Sequence, residues 1–547
     1  MPRNDLTLSL QYGVRDTTDW ERRVVPITAK SHSPGVRDVR CVTLATFAAP
    51  TCRREVPILA ILGARSRRKE LHIVKRSTAT KLVAGLAATM AVTSACASDR
   101  GADPAAAGMA PVAAAEAAAA PTGVKFGTLD SPCGAGDATG ATDQGVSDSE
   151  IRIGFGDDSG YVKSPGLNKE MGDAVSAMID WCNEQGGING RQIVGTYYDG
   201  AMTQANAVMQ NACGTEFMLV GHGFAMDQTS EQTRVACNLA AVPAFTVSPD
   251  AANGPMTFQG VPFPVDYANG SQWFQIAEMH PDKMNGFDVI NSTMPTIITS
   301  TTKTRSTAEA AGFHLKNCGV TLNYEGESSY VPFAEKFKEC GATGLWTSRS
   351  PVPAEFNLIK ALDQVGIDPI FMGEATWYGD AAREWNSANG GLLDNLHAGM
   401  TFQMIENADT VPAVKDYVDM VTAKGGKTAL LGMQATSSFL LWATAAQECG
   451  SDLTRQCMID ELSKIHEWDG GGLHAATDPG ANMPAKCGLV ATLDGAEFSQ
   501  AFPAEAGTFK CDDRYLFATD PSTWGTDLGP DRIATKYLNP NIIRPAS

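Results

Sequence analysis

The chain has 547 residues, 61 Asp/Glu against 43 Lys/Arg, a formal net charge of −18 and 43% hydrophobic residues. That length can bury a large core and leaves room for two or more domains. The acidity excludes nucleic acid and anionic membrane surfaces as natural partners. The charge is uneven: residues 1–73 hold 13 Lys/Arg against 7 Asp/Glu, residues 74–95 add three basic residues, and residues 96–547 are left with −27.

Residues 1–73 show no helical or strand period and are read as an over-extended start, with initiation near Val74. A nucleic-acid-binding arm is disfavoured there, because it would precede an export signal. Residues 74–95 form that signal. Lys75, Arg76 and Lys81 make a basic head, and Leu82 to Val92 a short apolar run. The run is far below the ~20 residues that span a bilayer, so it reads as a processed signal. Thr93, Ser94 and Ala95 are small, and Cys96 follows. The segment resembles a bacterial lipobox, although Thr93 stands where leucine is usual. The resemblance implies a diacylglyceryl group on Cys96 and a mature protein tethered outside the cell, each buried CH₂ adding ~0.8 kcal/mol. A plain secretory signal is the alternative. Residues 96–145, rich in Ala, Pro and Gly, read as a linker that spaces a domain from a membrane.

Regular structure is expected from Glu150. Ile151, Ile153 and Phe155 alternate as in a strand, and Met171, Val175, Met178 and Cys182 recur at helical steps until Gly186 and Gly187. Strand and helix then alternate. The strands expected are Gln192 to Tyr198, Phe217 to Gly221 and Val242 to Thr246; the helices are Thr203 to Ala212, with Thr203 as N-cap, and Gln228 to Leu239. Gly286 to Ser292 reads as crossover chain. A second unit follows, with strands at Pro295 to Thr299, Val320 to Tyr324, Gly344 to Thr347 and Pro369 to Met372. Its helices fall at Ser306 to Lys316, Val331 to Cys340 and Ala354 to Val365. Helices at Val411 to Lys424, Gln434 to Glu448 and Asp452 to Ile465 and strands near Cys487 to Leu493 and Gly507 to Thr519 complete the pattern. The strict alternation predicts parallel sheets with right-handed crossovers and helices on both faces.

Ten cysteines remain once Cys41, Cys52 and Cys96 are set aside. An even number in an exported chain points to disulfides, whose connectivity the sequence does not fix. Spacing suggests neighbours: Cys213 with Cys237, Cys318 with Cys340, Cys449 with Cys457 and Cys487 with Cys511, leaving Cys133 with Cys182. No CxxC pair or Cys/His cluster supports a metal, and no cofactor is expected.

Asn183 to Ile193 (NEQGGINGRQI) is similar to the helix-to-strand signature of the leucine/isoleucine/valine-type solute-binding proteins of ABC transporters. Asp199, Val220 to Ala225 (VGHGFA), Val242 to Pro249 (VPAFTVSP) and Gly366 to Gly373 (GIDPIFMG) match further landmarks of that family. The likeness runs from about residue 146 to the C-terminus, and the Cys213/Cys237 spacing also resembles a first-lobe disulfide of the family. It implies an α/β, two-lobed type I periplasmic-binding clamshell, each lobe a mostly parallel sheet with helices on both faces, joined by hinge crossovers. Lobe one is expected over residues 146–285 and 400–475, lobe two over 286–399 and 476–547.

Ligands of parallel α/β sheets sit beyond the carboxyl ends of the strands. On lobe one this selects Tyr161, Ala225, Met226, Asp250 and Ala251. Ala225 and Ala252 fall where amino-acid-binding relatives carry hydroxyl residues, so only backbone N–H groups remain there to grip a carboxylate. The resemblance places Asp266 where an acid meets a ligand ammonium. On lobe two the strand ends bring Tyr330, Ser348, Arg349, Glu374, Trp377 and Tyr378, the aromatics to cap an apolar side chain and Glu374 to take a cation.

Other signals carry less. Gly154 to Gly160 imitates a dinucleotide fingerprint, but its third glycine is one place late and Asp157 and Asp158 would repel a pyrophosphate. His222 is explained by loop packing, and Asn291 to Thr293 is a sequon that means little in the bacterial source that the family likeness implies. No nucleophile–base pair argues for an enzyme. The expectation is a monomeric, lipid-anchored extracytoplasmic protein. It captures a small polar solute, such as a branched-chain amino acid, and delivers it to the permease of an ABC importer. A clamshell receptor for signalling and an extracellular enzyme are the alternatives.

Overall fold

The computed structural model describes residues 123–519. The over-extended start, the signal and Cys96 lie outside them. Residues 123–145, expected as linker, are instead packed against the domain. Short strands Lys125–Phe126 and Leu129–Asp130 pair, Phe126 is fully buried edge-on to Trp181, and Cys133 is bonded to Cys182. A Phe at Phe126 and a cysteine at Cys133 give this strap what an Ala/Pro/Gly spacer lacks, a side chain to bury and a covalent hold.

Lobe one is built from β1 (Glu150–Asp157), α1 (Lys169–Glu184), β2 (Gln192–Asp199), α2 (Ala205–Thr215), β3 (Met218–Val220), α3 (Glu231–Ala236), β4 (Ala240–Val242) and α4 (Pro249–Ala252). Its sheet runs β2-β1-β3-β4, all parallel. Ile151 and Ile153 of β1 are buried against one face with Met171, Val175 and Met178 of α1, each such side chain stabilising by ~1.5–3 kcal/mol. α1 ends at Gly186 and Gly187 (φ 111° and 80°), where the Gly187 N–H returns to the Cys182 carbonyl. A Cβ on Gly187 would lie 1.9 Å from the Arg191 carbonyl oxygen. Arg191 is buried and donates only to backbone carbonyls, at Ser147, Gly450, Thr139, Gly140 and Ser451 (2.7–3.3 Å). The NEQGGINGRQI string is therefore a structural bolt that joins the strap, the start of β1 and the chain after Cys449.

Lobe two contains α5 (Ser271–Met279), β5 (Phe287–Val289), α6 (Pro295–Ala310), α7 (Val331–Cys340), β6 (Gly344–Thr347), α8 (Pro353–Gln364), β7 (Ile370–Gly373), α9 (Asp380–Ala388) and β8 (Leu396–Met400). The chain then returns to lobe one as α10 (Pro412–Ala423), α11 (Leu430–Cys449) and α12 (Arg455–Leu462), with α11 laid against α1. It ends on lobe two with β9 (Cys487–Asp494) and β10 (Glu497–Phe502). The lobe-two sheet runs β10-β9-β8-β7-β6-β5; β5 to β8 are parallel, and β9 and β10 are antiparallel additions. This is the expected two-lobed α/β architecture. Trp273, Phe287, Phe313 and Trp346 centre one core of the second lobe.

Several elements differ from expectation. Pro295 to Lys316 is not strand then helix: α6 runs unbroken from Pro295, a residue suited to a first helical position. The Thr301 and Thr302 hydroxyls of its β-branched run donate back to the Ile298 carbonyl (3.0 and 2.8 Å), so both are satisfied within the helix. The supposed crossover at Gly286 to Ser292 holds β5, whose buried Asp288 hides the strand pattern by accepting from the Asn317 and Cys318 N–H groups. α5 packs on β8 and β9, so lobe two begins before residue 285. Thr203 does not cap α2, whose N-cap is Gln204.

Three passes of chain join the lobes and are bonded to one another. The Thr477 hydroxyl donates to the Gly260 carbonyl (2.7 Å), Gln403 N to Leu473 O (2.9 Å) and Ala475 N to Thr401 O (2.8 Å). All five disulfides pair as the spacing suggests.

Candidate functional site

The loops at the carboxyl ends of the parallel strands of the two sheets face each other, as the ion pair of Lys163, after β1, with Glu325 of lobe two shows. On lobe one, three buried carboxylates stand behind the loops. Asp157 accepts from the Tyr197 hydroxyl (2.5 Å) and from Ser159 and Gly172 N–H groups; burial pushes its pKa up to about 6. Asp158 accepts from Met202 N (2.8 Å) and Ala225 N (2.7 Å), tying the loops after β1, β2 and β3 together. Burial raises its pKa also. Asp227 accepts from Val247 N (2.8 Å) and Ser248 N (3.1 Å), and burial pushes it up to about 7. The Ala251 N–H is held by the Ser248 hydroxyl at 3.3 Å. The Met202, Ala225, Val247, Ser248 and Ala251 N–H groups are thus already engaged, all but the last by the protein's own acids. Behind them His222, Asp227 and Arg234 line a cavity of about 10 Å³, room for about one water.

Lobe two is different. β6 and β7 pair with Thr347 opposite Gly373, so Ser348 and Glu374 emerge side by side. The Ser348 hydroxyl is buried without a hydrogen-bond partner, as is the Thr376 hydroxyl just beyond Glu374. Glu374 accepts from the Ser300 hydroxyl of α6, and burial pushes its pKa up to about 7. One turn along α6, Lys303 is buried with its ammonium 3.4 Å from the Phe263 ring centre and donating to the Pro264 carbonyl (2.6 Å). Burial pulls its pKa down to about 7, against the pull of Asp266 and Glu374. Asp266 itself accepts from the Asn253 side chain at 2.8 Å.

The two rims meet. Lys163, in the loop after β1, forms an ion pair with Glu325 of lobe two. Val162 and Tyr324, next in sequence to that pair, are 87% and 36% exposed. Among the described residues no group of His, Cys, Asp and Glu is arranged to hold a metal ion, and no helix is long and apolar enough to cross a membrane.

Residues 150–497 match the family model for the periplasmic binding proteins. The chain belongs to the periplasmic binding protein family. Solved structures of the family's fold include the fatty acid ABC transporter substrate-binding protein from Thermomonospora curvata. It is 14% identical, with 69% of this chain and 100% of that one aligned and a TM-score of 0.55. The branched-chain amino acid substrate-binding protein LivJ from Streptococcus pneumoniae, in complex with isoleucine, is 15% identical, with coverage of 64% and 98% and a TM-score of 0.52. An ABC transporter substrate-binding protein from Sphaerobacter thermophilus is 13% identical, with coverage of 64% and 96% and a TM-score of 0.52. A search of curated proteins by sequence returns no match. The family is that of the periplasmic binding proteins, and a solute-binding role follows for this chain.

In this periplasmic binding protein the residues expected to line the site divide. Tyr161, Ala225 and Met226 are half-buried on the lobe-one loops, and Ser348 and Glu374 stand at the lobe-two strand ends. Asp250 is half-buried on α4, whose Ala251 and Ala252 are buried. Asp266 belongs with Lys303 near the first crossover. Trp377 and Tyr330 do not cap a ligand. Trp377 is fully buried, donates to the Arg349 carbonyl (2.8 Å) and packs on Phe371; Tyr330 is buried and accepts from Glu327 N. Tyr378 is likewise interior, bonded to Glu406, and Arg349 is spent on Glu355 (2.5 Å). An aromatic after a strand signals a mouth position only if the lobe lacks an interior slot for it. Lys303, Ser300, Thr376, Asp158 and Asp227 were not singled out as site residues. Ser300 and Lys303 fall between the strand expected to end at Thr299 and the helix expected to start at Ser306, Asp158 is weighed in the sequence only as an acidic pair with Asp157, and nothing in local pattern marks Thr376 or Asp227.

Proposed function

We propose that this protein is a lipid-anchored extracytoplasmic solute-binding protein that captures a small solute between its lobes and delivers it to the permease of an ABC importer. The observation that carries the reading is the pair of parallel sheets whose carboxyl edges share one gap, spanned by three hydrogen-bonded crossovers and matched over residues 150–497 by the family model. Closure follows from differential affinity: a solute that touches both lobes only when they are shut stabilises the shut population. Lys163 and Glu325 reach across the rim in support of that geometry. Cys96, at the end of the signal, supplies the anchor. The monomer needs no cofactor and no covalent chemistry.

Thermal-shift screening of the mature chain against amino acids, amides, amines, short- and medium-chain carboxylates and sugars tests the capture. A ligand at 100 times its Kd stabilises by ~2.7 kcal/mol and raises the melting point. No shift with any class refutes solute capture. Cys96→Ser tests the anchor: the variant leaves the membrane fraction if the thiol carries the lipid, and stays there if it does not.

A further inference from the structure

We propose that the solute is a monocarboxylate with an apolar body and no ammonium group, its carboxylate received on lobe two by Lys303 together with the hydroxyls of Ser348 and Thr376. The inference rests on the solute-binding reading above and deepens it. It starts from which donors at the gap are free. On lobe one the N–H groups of Met202, Ala225, Val247 and Ser248 already end on Asp158 and Asp227. A solute carboxylate placed there would have to displace a buried acid from those N–H groups. On lobe two the accounting is reversed. A lysine ammonium has three N–H donors, and among the described residues Lys303 donates one, to Pro264. Ser348 and Thr376 each hold a buried hydroxyl with no partner, a condition that folded proteins rarely leave unanswered. α6 starts at the same sheet edge, and its N-terminal N–H groups favour an anion.

The acids beside Lys303 do not forbid the anion. Asp266 is held by Asn253. Glu374, with its pKa near neutrality, carries a proton for part of the time and then donates to a carboxylate. Lys303 already occupies the place beside these two acids, so an ammonium brought by the solute would have to compete with it for them. For the rest of the solute the rims offer Val162 and Tyr324, apolar and exposed, next in sequence to the Lys163–Glu325 pair.

The test uses three probes on one carbon skeleton, 4-methylpentanoate, leucine and isopentylamine, with butyrate, octanoate, benzoate and phenylacetate as further carboxylates. Binding is read by titration calorimetry on the mature protein. The expected result is that at least one carboxylate binds, that leucine binds at least 10-fold more weakly than 4-methylpentanoate, and that the amine does not bind. Lys303→Met should weaken the carboxylate about 10- to 100-fold, as loss of a charge-assisted hydrogen bond does. Ser348→Ala, which cannot unsettle the fold in the same way, should weaken it about 5-fold. Tighter binding of leucine or of the amine overturns the proposal and leaves solute capture standing. So does undiminished binding by Lys303→Met, or by Ser348→Ala should the first variant not fold. Silence from every carboxylate overturns it too, and silence from the wider screen as well removes the solute-binding reading itself.

Discussion

Replacing Cys133 and Cys182 by alanine should loosen the N-terminal strap without touching the site. The bond closes a 49-residue separation. Chain-entropy reasoning gives a loop of that length about 4 kcal/mol of stabilisation. Besides the bond, the strap is held by Arg191, which donates to the Thr139 and Gly140 carbonyls, and by Gly134 N to Gly187 O (2.7 Å). Phe126, fully buried against Trp181, contributes up to ~3 kcal/mol, while fixing each backbone residue costs ~1–2 kcal/mol. Spread over a domain of roughly 400 residues, with an unfolding entropy of ~0.8 kcal/mol/K, the loss lowers the melting point by about 5 °C. Lys125 lies in the strap and should become a site of rapid tryptic cleavage in the double variant. Circular dichroism and limited proteolysis with mass readout measure both effects, and solute affinity should be unchanged. A melting point within 1 °C of wild type, with Lys125 still protected, would refute the view that the covalent bond holds the strap down.

Four further outcomes follow from the geometry. Ala225→Asp sets a carboxylate beside Asp158 at the lobe-one mouth and should abolish binding of the solute found by screening, by more than about 100-fold; an unchanged Kd would remove that loop from the site. Lys163→Glu breaks an exposed ion pair, so affinity should fall only about 2- to 5-fold and the deficit should shrink in 1 M salt; calorimetry at two salt concentrations checks it. Asp158→Ala leaves the Met202 and Ala225 N–H groups without their acceptor, at ~1–3 kcal/mol each, and should speed amide exchange in both loops. Burial pulls the His474 pKa from 6.5 down to about 4, so the unfolded chain binds its proton first as pH falls. That contribution is complete above pH 6.5 and is lost toward pH 4, about 2 kcal/mol of it between pH 7 and 5. His474→Gln should flatten this part of the urea-denaturation profile, and an unaltered slope would contradict it.

His474 also shows what a sequence conceals. Its Nδ1 lies 2.9 Å from the Ala475 carbonyl oxygen, so that nitrogen carries the hydrogen and Nε2 accepts from the Ser437 hydroxyl at 2.8 Å. Ser437 in turn accepts from the Trp468 indole (2.9 Å). A Ser–His pair arises here from residues 37 apart, wholly buried, where it pins a crossover to α11. It is hinge architecture in the dress of a catalytic dyad. No local spacing could have announced either the pair or its burial. Apolar periodicity, by contrast, placed β1, α1, α7 and β6 within a residue or two, because each buries one regular face. It missed β8, whose His397 and Gly399 interrupt the apolar run, and β5, whose central Asp288 is satisfied by a loop about 30 residues away.

The site was legible to a coarser degree than the fold, for a related reason. Strand ends in a parallel sheet locate a mouth, and that rule put Ser348 and Glu374 where the structure has them. Which groups at a mouth remain free depends on what the rest of the molecule has already engaged. Ala225 shows this: without a hydroxyl, it kept a role in sequence terms only through its backbone N–H, and that N–H belongs to Asp158. Trp377 shows it in the other direction, an aromatic at a strand end whose ring fills its own lobe. On the proposal above, the residues that would turn carboxylate recognition away from lobe one are the acids behind its loops, Asp158 and Asp227. Exchanging them together for asparagine keeps one acceptor at each position and removes the charge. If their engagement of the lobe-one donors is what moves carboxylate recognition to lobe two, that double variant should gain affinity for leucine while keeping its fold. A double variant with wild-type stability and no gain for leucine would show that the acids merely brace the loops.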